Sequence, residues 1–497
     1  MDSVTKSKIT FDDIKISINR YKQSSLIFRI LATLQIVQDN NNIRYPIWNL
    51  FSLLKWSYLY AIESILKRIV TEQDLQELML LVEKYETSHQ SLNFKYSDTR
   101  VRSLKIILFQ QSPLQNTFYK ASINRQIILF SIFNTKFCLK EKFKEVTGIA
   151  LKDFLNLCFF TYLYLNADKL GGKNKYDGIL YSDYFDVLNE LSIDKKTVDR
   201  FLSLLTITTK EDISNLHKLA HEQLQLFETT FLTTKPLVSF RNILRVPHRS
   251  IFDLTMHSYV YNIMKTSYPD TFSEDFGKRL ERYLELGLKE CGIEYENESI
   301  LKRKYNLSKV VDYRIAEHIL VECKAIELHP RSGILRRPEI LQNELKSSII
   351  KAYSQILSTA NSIDPNQNWY GLVVTYKETY IGFGNDAWDE FLEKPITDFC
   401  IKNNIPISIL KPENLFFITA EYWDYLMQIL KNGKVTFTEI LERGKILNKT
   451  DNISEKVLLL DQVLTKYYPI KKIKLKYLEK SDFILDLIPK KTTVYEE

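Results

Sequence analysis

From about Ile9 to Thr230 apolar residues return every three or four positions, as in Leu26-Ile27-Ile30-Leu31-Leu34-Ile36 and Ile47-Leu50-Leu53-Leu54-Tyr58-Leu59. That spacing puts them on one face of an α-helix. No strand-like alternation competes with it, so residues 1–235 are expected to form an α-helical domain. Polar breaks at 38–42, at 166–177 with Gly171-Gly172, and at 210–214 predict loops between its helices. The most apolar window, 154–165, is too short to cross a bilayer and predicts a buried helix.

Between Pro236 and Ser250 the pattern changes. V-S-F-R-N-I-L-R-V-P alternates briefly, and Pro247 closes it before a predicted helix at 251–264. A helix at 274–291 follows, then two short strands within 310–326, a helix at 340–360 and a buried strand at 370–375. An edge or hairpin strand at 380–383, a helix at 387–403 and last strands at 407–410 and 415–419 complete the region. Strands and helices interleaved over 236–425 predict one α/β domain, a mixed sheet flanked by helices. Residues 426–497 read as a helical, lysine-rich extension. Its K-K-I-K-L-K-Y-L-E-K run (471–480) reads as a solvated amphipathic face in preference to a nucleic-acid contact.

Composition narrows the classes. At 497 residues with 45% hydrophobic content the chain is long enough for two or three real cores. Only 13 glycines and 13 prolines favour long helices. A net charge of +7 is a mild bias, far from that of a nucleic-acid packager. The cysteines 138, 158, 291, 323 and 400 are odd in number and form no C-x-x-C pair, which argues against a disulfide scaffold or a zinc site and suits a reducing cytoplasm. The N-terminal stretch M-D-S-V-T-K-S-K-I-T has no apolar signal core. P-loop, Rossmann-glycine and H-E-x-x-H patterns are absent from the sequence, as is any repeat of fixed period.

One stretch carries candidate chemistry. In V-V-D-Y-R-I-A-E-H-I-L-V-E-C-K-A-I (310–326), Asp312 and Glu322 each close a short apolar run, and Lys324 lies two residues beyond Glu322 on the same strand face. A tight link at 316–318 makes the runs adjacent strands of a hairpin. Paired carboxylates at strand ends suit a hard divalent cation, and the lysine can reach a water that such a cation activates. Similar triplets at 13–15, 194–196 and 344–346 sit in helical or polar surroundings. Glu322-Cys323-Lys324 instead follows Ile319-Leu320-Val321, where burying charge is costly without a partner.

These residues resemble the PD-(D/E)xK nuclease superfamily over about residues 240–425. The resemblance implies a restriction-endonuclease-like core, with Asp312 ending the second core strand, Val310-Val311 replacing the usual proline, and Glu322 and Lys324 as the E-x-K. It further implies one or two Mg2+ ions, for which Mn2+ can substitute, held by Asp312, Glu322, the Cys323 carbonyl and an acid on the preceding helix. Phe276, Leu280, Leu284, Leu288 and Cys291 define that helix's apolar face; Glu281 borders it and Glu285 points further out, so Glu281 is preferred. On the helix after the E-x-K strand, Gln355 is expected to orient water or a phosphate and Lys351 to contact the scissile phosphate. Arg331, Arg336 and Arg337 are expected on a mobile loop that tracks a nucleic-acid backbone. His318 and His329 read as loop residues, and Cys323 as packing on the opposite face of its strand.

The function so implied is a Mg2+-dependent hydrolase of phosphodiester bonds, a DNA endonuclease of bacterial restriction or anti-phage (antiviral) defence type. DNA is preferred to RNA as substrate, and no membrane is involved. The helical N-terminal domain is assigned recognition, regulation, or association as a homo-oligomer or with a partner protein. The competing reading is a non-catalytic nucleic-acid-binding or scaffold protein that keeps a nuclease-like fold.

Overall fold

A computed structural model describes residues 9–39, 46–109 without 91–103, 111, 114, 120–165, 178–190, 193–216, 230–240, 243–329, 332–333, 336–450, 452 and 454–479. The protein is mostly helical, with two small mixed sheets. Backbone contacts group the described residues into two compact units, one built from stretches within Met1–Tyr119 and Lys140–Ile263, the other from Lys120–Leu139 and stretches within Met264–Asp482. This grouping differs from the expected boundaries at 235/236 and 425/426. The division falls inside the helix Arg249–Ser267, and the described part of the expected C-terminal extension joins the second unit. Lys120–Leu139 joins it because Arg279 donates to the Leu129 and Phe133 carbonyls at 2.8 and 2.7 Å, a long-range demand that local periodicity does not reveal.

In the first unit the helices Phe11–Ile18, Gln23–Asp39, Ile47–Tyr60 and Glu72–Gln90 bury most of the predicted apolar positions, among them Leu26, Ile30, Leu34, Leu50 and Leu54, whereas Ile36, two residues beyond Leu34 and so off that face, is 60% exposed. Thr10 and Asp13 start the first helix with a reciprocal capping box. The apolar window lies in the helix Leu151–Leu165, where Phe154 stacks on Tyr259 with centroids 4.8 Å apart, as expected of a buried helix. No single described helix is long and apolar enough to cross a membrane.

Two expectations for this region fail. Strands β1 (Gly178–Leu180) and β2 (Thr206–Ile207) join β3 (Leu237–Phe240) and β4 (Ile243–Arg245) in a sheet of order β1-β4-β3-β2. Pieces of three and two residues are too short to show an alternating pattern. The polar cluster at 210–214 begins the helix Lys210–Leu216 and is no loop. Asp212 accepts from the Thr208 and Thr209 backbone N–H groups at 2.9 and 3.1 Å, so the polar residues are its cap. The expected loop at 166–177 lies outside the described residues, as does 40–42 of the first.

The second unit holds the sheet β5 (Tyr295–Asn297), β6 (Tyr313–Ile315), β7 (Ile319–Lys324), β8 (Tyr370–Thr375) and β9 (Leu415–Thr419), paired in that order. The β5–β6 and β6–β7 pairs are antiparallel; β7–β8 and β8–β9 are parallel. The β6–β7 hairpin turns through Ala316 and Glu317, whose φ values of 48° and 64° are the left-handed backbone that a tight hairpin requires.

Helices cover both sheet faces. Tyr313 donates to the Glu281 carbonyl at 2.8 Å, which sets the helix Pro269–Glu290 against the face bearing Tyr313, Val321 and Cys323. Ala420–Lys431 packs beside that helix at Gly287, where an added Cβ would lie 2.8 Å from Met427. On the other face, an added Cβ at Gly371 would meet Ile356 at 3.3 Å. Gly371 pairs with Leu320, so the helix Lys351–Ile363 covers the face bearing Leu320, Glu322 and Lys324.

Residues 380–383 form no strand, because Tyr380 (φ 50°) and Gly382 (φ 94°) turn the backbone out of the extended region. Residues 407–410 also lie outside the sheet; Ile407–Ile409 is a 3-10 turn after Pro406. In the lysine-rich tail Leu475 and Leu478 are buried while Lys471, Lys472, Lys474 and Lys476 are exposed, the solvated amphipathic arrangement expected as far as residue 479.

Candidate active site

Asp312 sits immediately before β6 and does not end it as the resemblance implied. Its placement across from Glu322 survives that change. Tyr313 pairs with Val321, so the antiparallel register carried back one residue sets Asp312 opposite Glu322. An Asp312 carboxylate oxygen accepts the Cys323 N–H at 2.6 Å, beyond the last β6–β7 pair. In a strand the N–H and C=O of one residue point to the same side, so the Cys323 carbonyl faces the Asp312 edge as well. The Cys323 side chain is buried on the opposite sheet face, as expected.

Lys324 donates to Glu322 Oε1 at 2.5 Å. Glu322 is 2% exposed, and its other oxygen, Oε2, is buried without a hydrogen bond. Burial, with Asp312 nearby adding repulsion, pushes the Glu322 carboxyl up to about 8. Burial and then Asp312 push Glu281 up to about 7. Asp312 is raised by burial too, against the opposing pull of the Cys323 N–H and Lys324. Burial works against the Lys324 charge, but Glu322 outweighs it and the ammonium is held above its usual range. Three acids thus crowd one another around one lysine.

The two helix acids separate as periodicity suggested. Glu285 is engaged by the Tyr295 hydroxyl at 2.7 Å and Lys289 at 3.0 Å. Glu281 instead acts on Asp312, Glu322 and Lys324 through space, from the other helix layer. Gln355 turns toward the motif, donating to the Val310 carbonyl at 3.4 Å, and its Oε1 is buried without a partner. Thr359, one turn further on, accepts from the Val311 N–H at 3.2 Å. Sequence reading missed Thr359, although its i+4 spacing from Gln355 pointed to it. It also missed Glu298, which acts on Asp312 and Glu281.

The basic residues fare differently. Lys351 is exposed, while Gln355 on the next turn faces inward. Arg336 is no mobile phosphate contact: its side chain is fully buried and paired with Glu390 through two hydrogen bonds of 2.6 and 2.8 Å. A guanidinium so enclosed is spent on structure. Arg337 is exposed at the start of the helix Pro338–Leu345, and Arg331 lies outside the described residues. His318 is hydrogen-bonded to Thr438 at 2.9 Å, consistent with its reading as a loop residue.

Among the described residues, no group of three or more His, Cys, Asp or Glu is placed to hold a metal ion as it stands. Lys324 engages Glu322 Oε1, and the Cys323 N–H engages Asp312. The donor chemistry nevertheless fits a hard cation. Two buried acceptor oxygens, Glu322 Oε2 and Gln355 Oε1, have no donor, beside carboxyls whose charges repel. No family model, curated protein or solved structure matches this chain.

Proposed function

We propose that this chain is a divalent-metal-dependent phosphodiester hydrolase that cuts DNA internally. The observation supporting it most directly is the buried Glu322, set opposite Asp312 by strand register, clasped by Lys324 at one oxygen and unpartnered at the other. A structural ion pair gains nothing from two further acids crowded against it. Asp312, Glu322, the Cys323 carbonyl and Glu281 are the residues that would hold Mg2+. A bound Mg2+ neutralises phosphate charge and acidifies water.

The chain's own groups supply the rest. Lys324 holds its proton at Nζ beside Glu322 and can present that positive charge to oxygens that become more negative as the phosphodiester is attacked. Gln355, with its amide nitrogen tied to Val310, offers Oε1 to orient an attacking water. Asp312 fixes the β7 backbone through the Cys323 N–H and so sets the spacing of the two carboxylates.

The test uses the purified full chain with plasmid, single-stranded DNA and RNA, each in Mg2+, Mn2+ or EDTA. Metal-dependent cutting of DNA is expected, and Glu322→Ala and Lys324→Ala should each lower its rate by roughly 100-fold or more. Cutting that persists in EDTA or in Glu322→Ala rejects the site. Binding of DNA with no cutting under any condition favours the non-catalytic reading.

A further inference from the structure

Val310, Val311 and Asp312 lie before β6, outside the strand ladder, and among the described residues no backbone–backbone hydrogen bond reaches them. Val310 and Val311 are nevertheless buried, so their N–H and C=O groups need partners. The helix Lys351–Ile363 supplies two from one face. Thr359 Oγ1 accepts the Val311 N–H at 3.2 Å, and Gln355, one turn earlier, donates to the Val310 carbonyl at 3.4 Å. The backbone leading into Asp312 is thus held by two side chains, and the Asp312 carboxylate by the Cys323 N–H at 2.6 Å.

Thr359 departs from the habit of other helical threonines in this chain. Thr33, Thr87, Thr147, Thr161 and Thr255 turn their hydroxyls onto the carbonyl four residues earlier, the ordinary arrangement inside a helix. The Thr359 hydroxyl is fully buried and is turned to Val311 instead, on a face whose neighbours Ala352, Ile356 and Ala360 are apolar and ask only for packing. A valine would fill that space equally well, so the hydroxyl is there for the backbone that carries Asp312. Its importance grows when a cation binds. A cation held by Asp312 withdraws charge from the carboxylate and weakens the bond from the Cys323 N–H, leaving the anchors at Val310 and Val311 to keep the segment in place. We propose that Thr359 is a positioning residue: by holding the Val311 N–H it fixes the backbone from which Asp312 reaches the metal, and so sets metal affinity more than the chemical step. This inference rests on the metal-dependent reading of the site.

Calorimetric titration of the full chain with Mn2+, beside the Mg2+ dependence of plasmid cutting, tests it. Thr359→Val fills the same volume without the hydroxyl, and should weaken Mn2+ binding by about 10-fold or more while turnover at saturating Mg2+ falls by much less. Thr359→Ser keeps the hydroxyl and should bind Mn2+ within about three-fold of the wild-type chain. Because Thr359→Val leaves a buried N–H unpaired and can unfold the chain, hydrogen exchange of the wild-type protein supplies a second measurement: the Val311 amide should stay protected when Mg2+ is added. Unchanged Mn2+ affinity in Thr359→Val overturns the proposal, as does turnover at saturating Mg2+ that falls as far as the affinity. Thr359→Ser binding as weakly as Thr359→Val, or loss of Val311 protection on adding Mg2+, overturns it too. A wild-type chain that takes up no Mn2+ rejects the metal site itself and the role of Thr359 with it, whereas a wild-type chain that binds Mn2+ no better than Thr359→Val rejects the role alone.

Discussion

Charge in this protein acts according to what surrounds each group. Glu322, Lys324 and Glu281 could be read from sequence because local pattern decides their setting: an apolar strand around the first two, and a helix-face border for the third. Arg336 could not. Its neighbours suggested a basic loop, whereas its partner Glu390 lies 54 residues away and only the fold brings them together. His248 extends the point to stability. It is buried beside Phe51, its Nδ1 has no partner, and burial alone lowers its pKa from 6.5 to about 4. A histidine depressed in this way is neutral in the folded protein, while the unfolded chain takes up a proton below pH 6.5. Stability is therefore fully present above pH 6.5 and falls as the pH drops towards 4, by about 1.4 kcal/mol per unit. Urea unfolding at pH 7 and pH 5 should show this. Wild type should lose about 2 kcal/mol more than His248→Phe over that interval, and equal losses would remove His248 from the account.

Elements divide by length and by backbone constraint. Long helices and the fully buried strands β7, β8 and β9 matched their periodicity, because several turns or a whole buried run must agree before such a pattern arises. Short pieces misled: 380–383 and 407–410 are apolar enough for strands but are turned by left-handed residues or a proline. Glycines test which constraint operates. In the helix Pro269–Glu290 an added Cβ at Gly277 meets nothing within 4 Å, so Gly277→Ala should stabilise by about 0.5–1 kcal/mol through reduced chain entropy. At Gly384 an added Cβ would fall 2.0 Å from the Pro412 carbonyl oxygen and 2.7 Å from that of Leu415, backbone that cannot swing aside. Gly384→Ala should cost about 3 kcal/mol. Thermal melts of the two variants should move in opposite directions, and a Gly384→Ala variant that melts no lower than the wild-type chain would show that close approach is not what selects glycine there.

At the scale of the whole molecule, the second unit takes in Lys120–Leu139 across an interval of more than a hundred residues, and a buried polar centre helps to hold it. Asp424 is fully buried and accepts from Arg125 Nε at 2.9 Å, from a second Arg125 nitrogen at 2.8 Å, from the Tyr283 hydroxyl at 2.8 Å and from the Tyr477 hydroxyl at 2.7 Å. One carboxylate thus joins the early segment, the helix bearing Glu281, and the tail. Taking two charges out of water costs several kcal/mol per ion, so the arrangement contributes through completeness and not through the pair alone. The consequence is asymmetric. Asp424→Asn keeps an oxygen for a tyrosine hydroxyl but leaves the Arg125 charge enclosed without a counter-charge, which should cost about 3–5 kcal/mol. Adding Arg125→Met to that variant removes the stranded cation and keeps much of its packing volume, so the double variant should melt higher than Asp424→Asn alone. A double variant that melts lower would mean that Arg125 acts through its carbon stem and hydrogen bonds, and that charge pairing is not what fastens the early segment to the second unit.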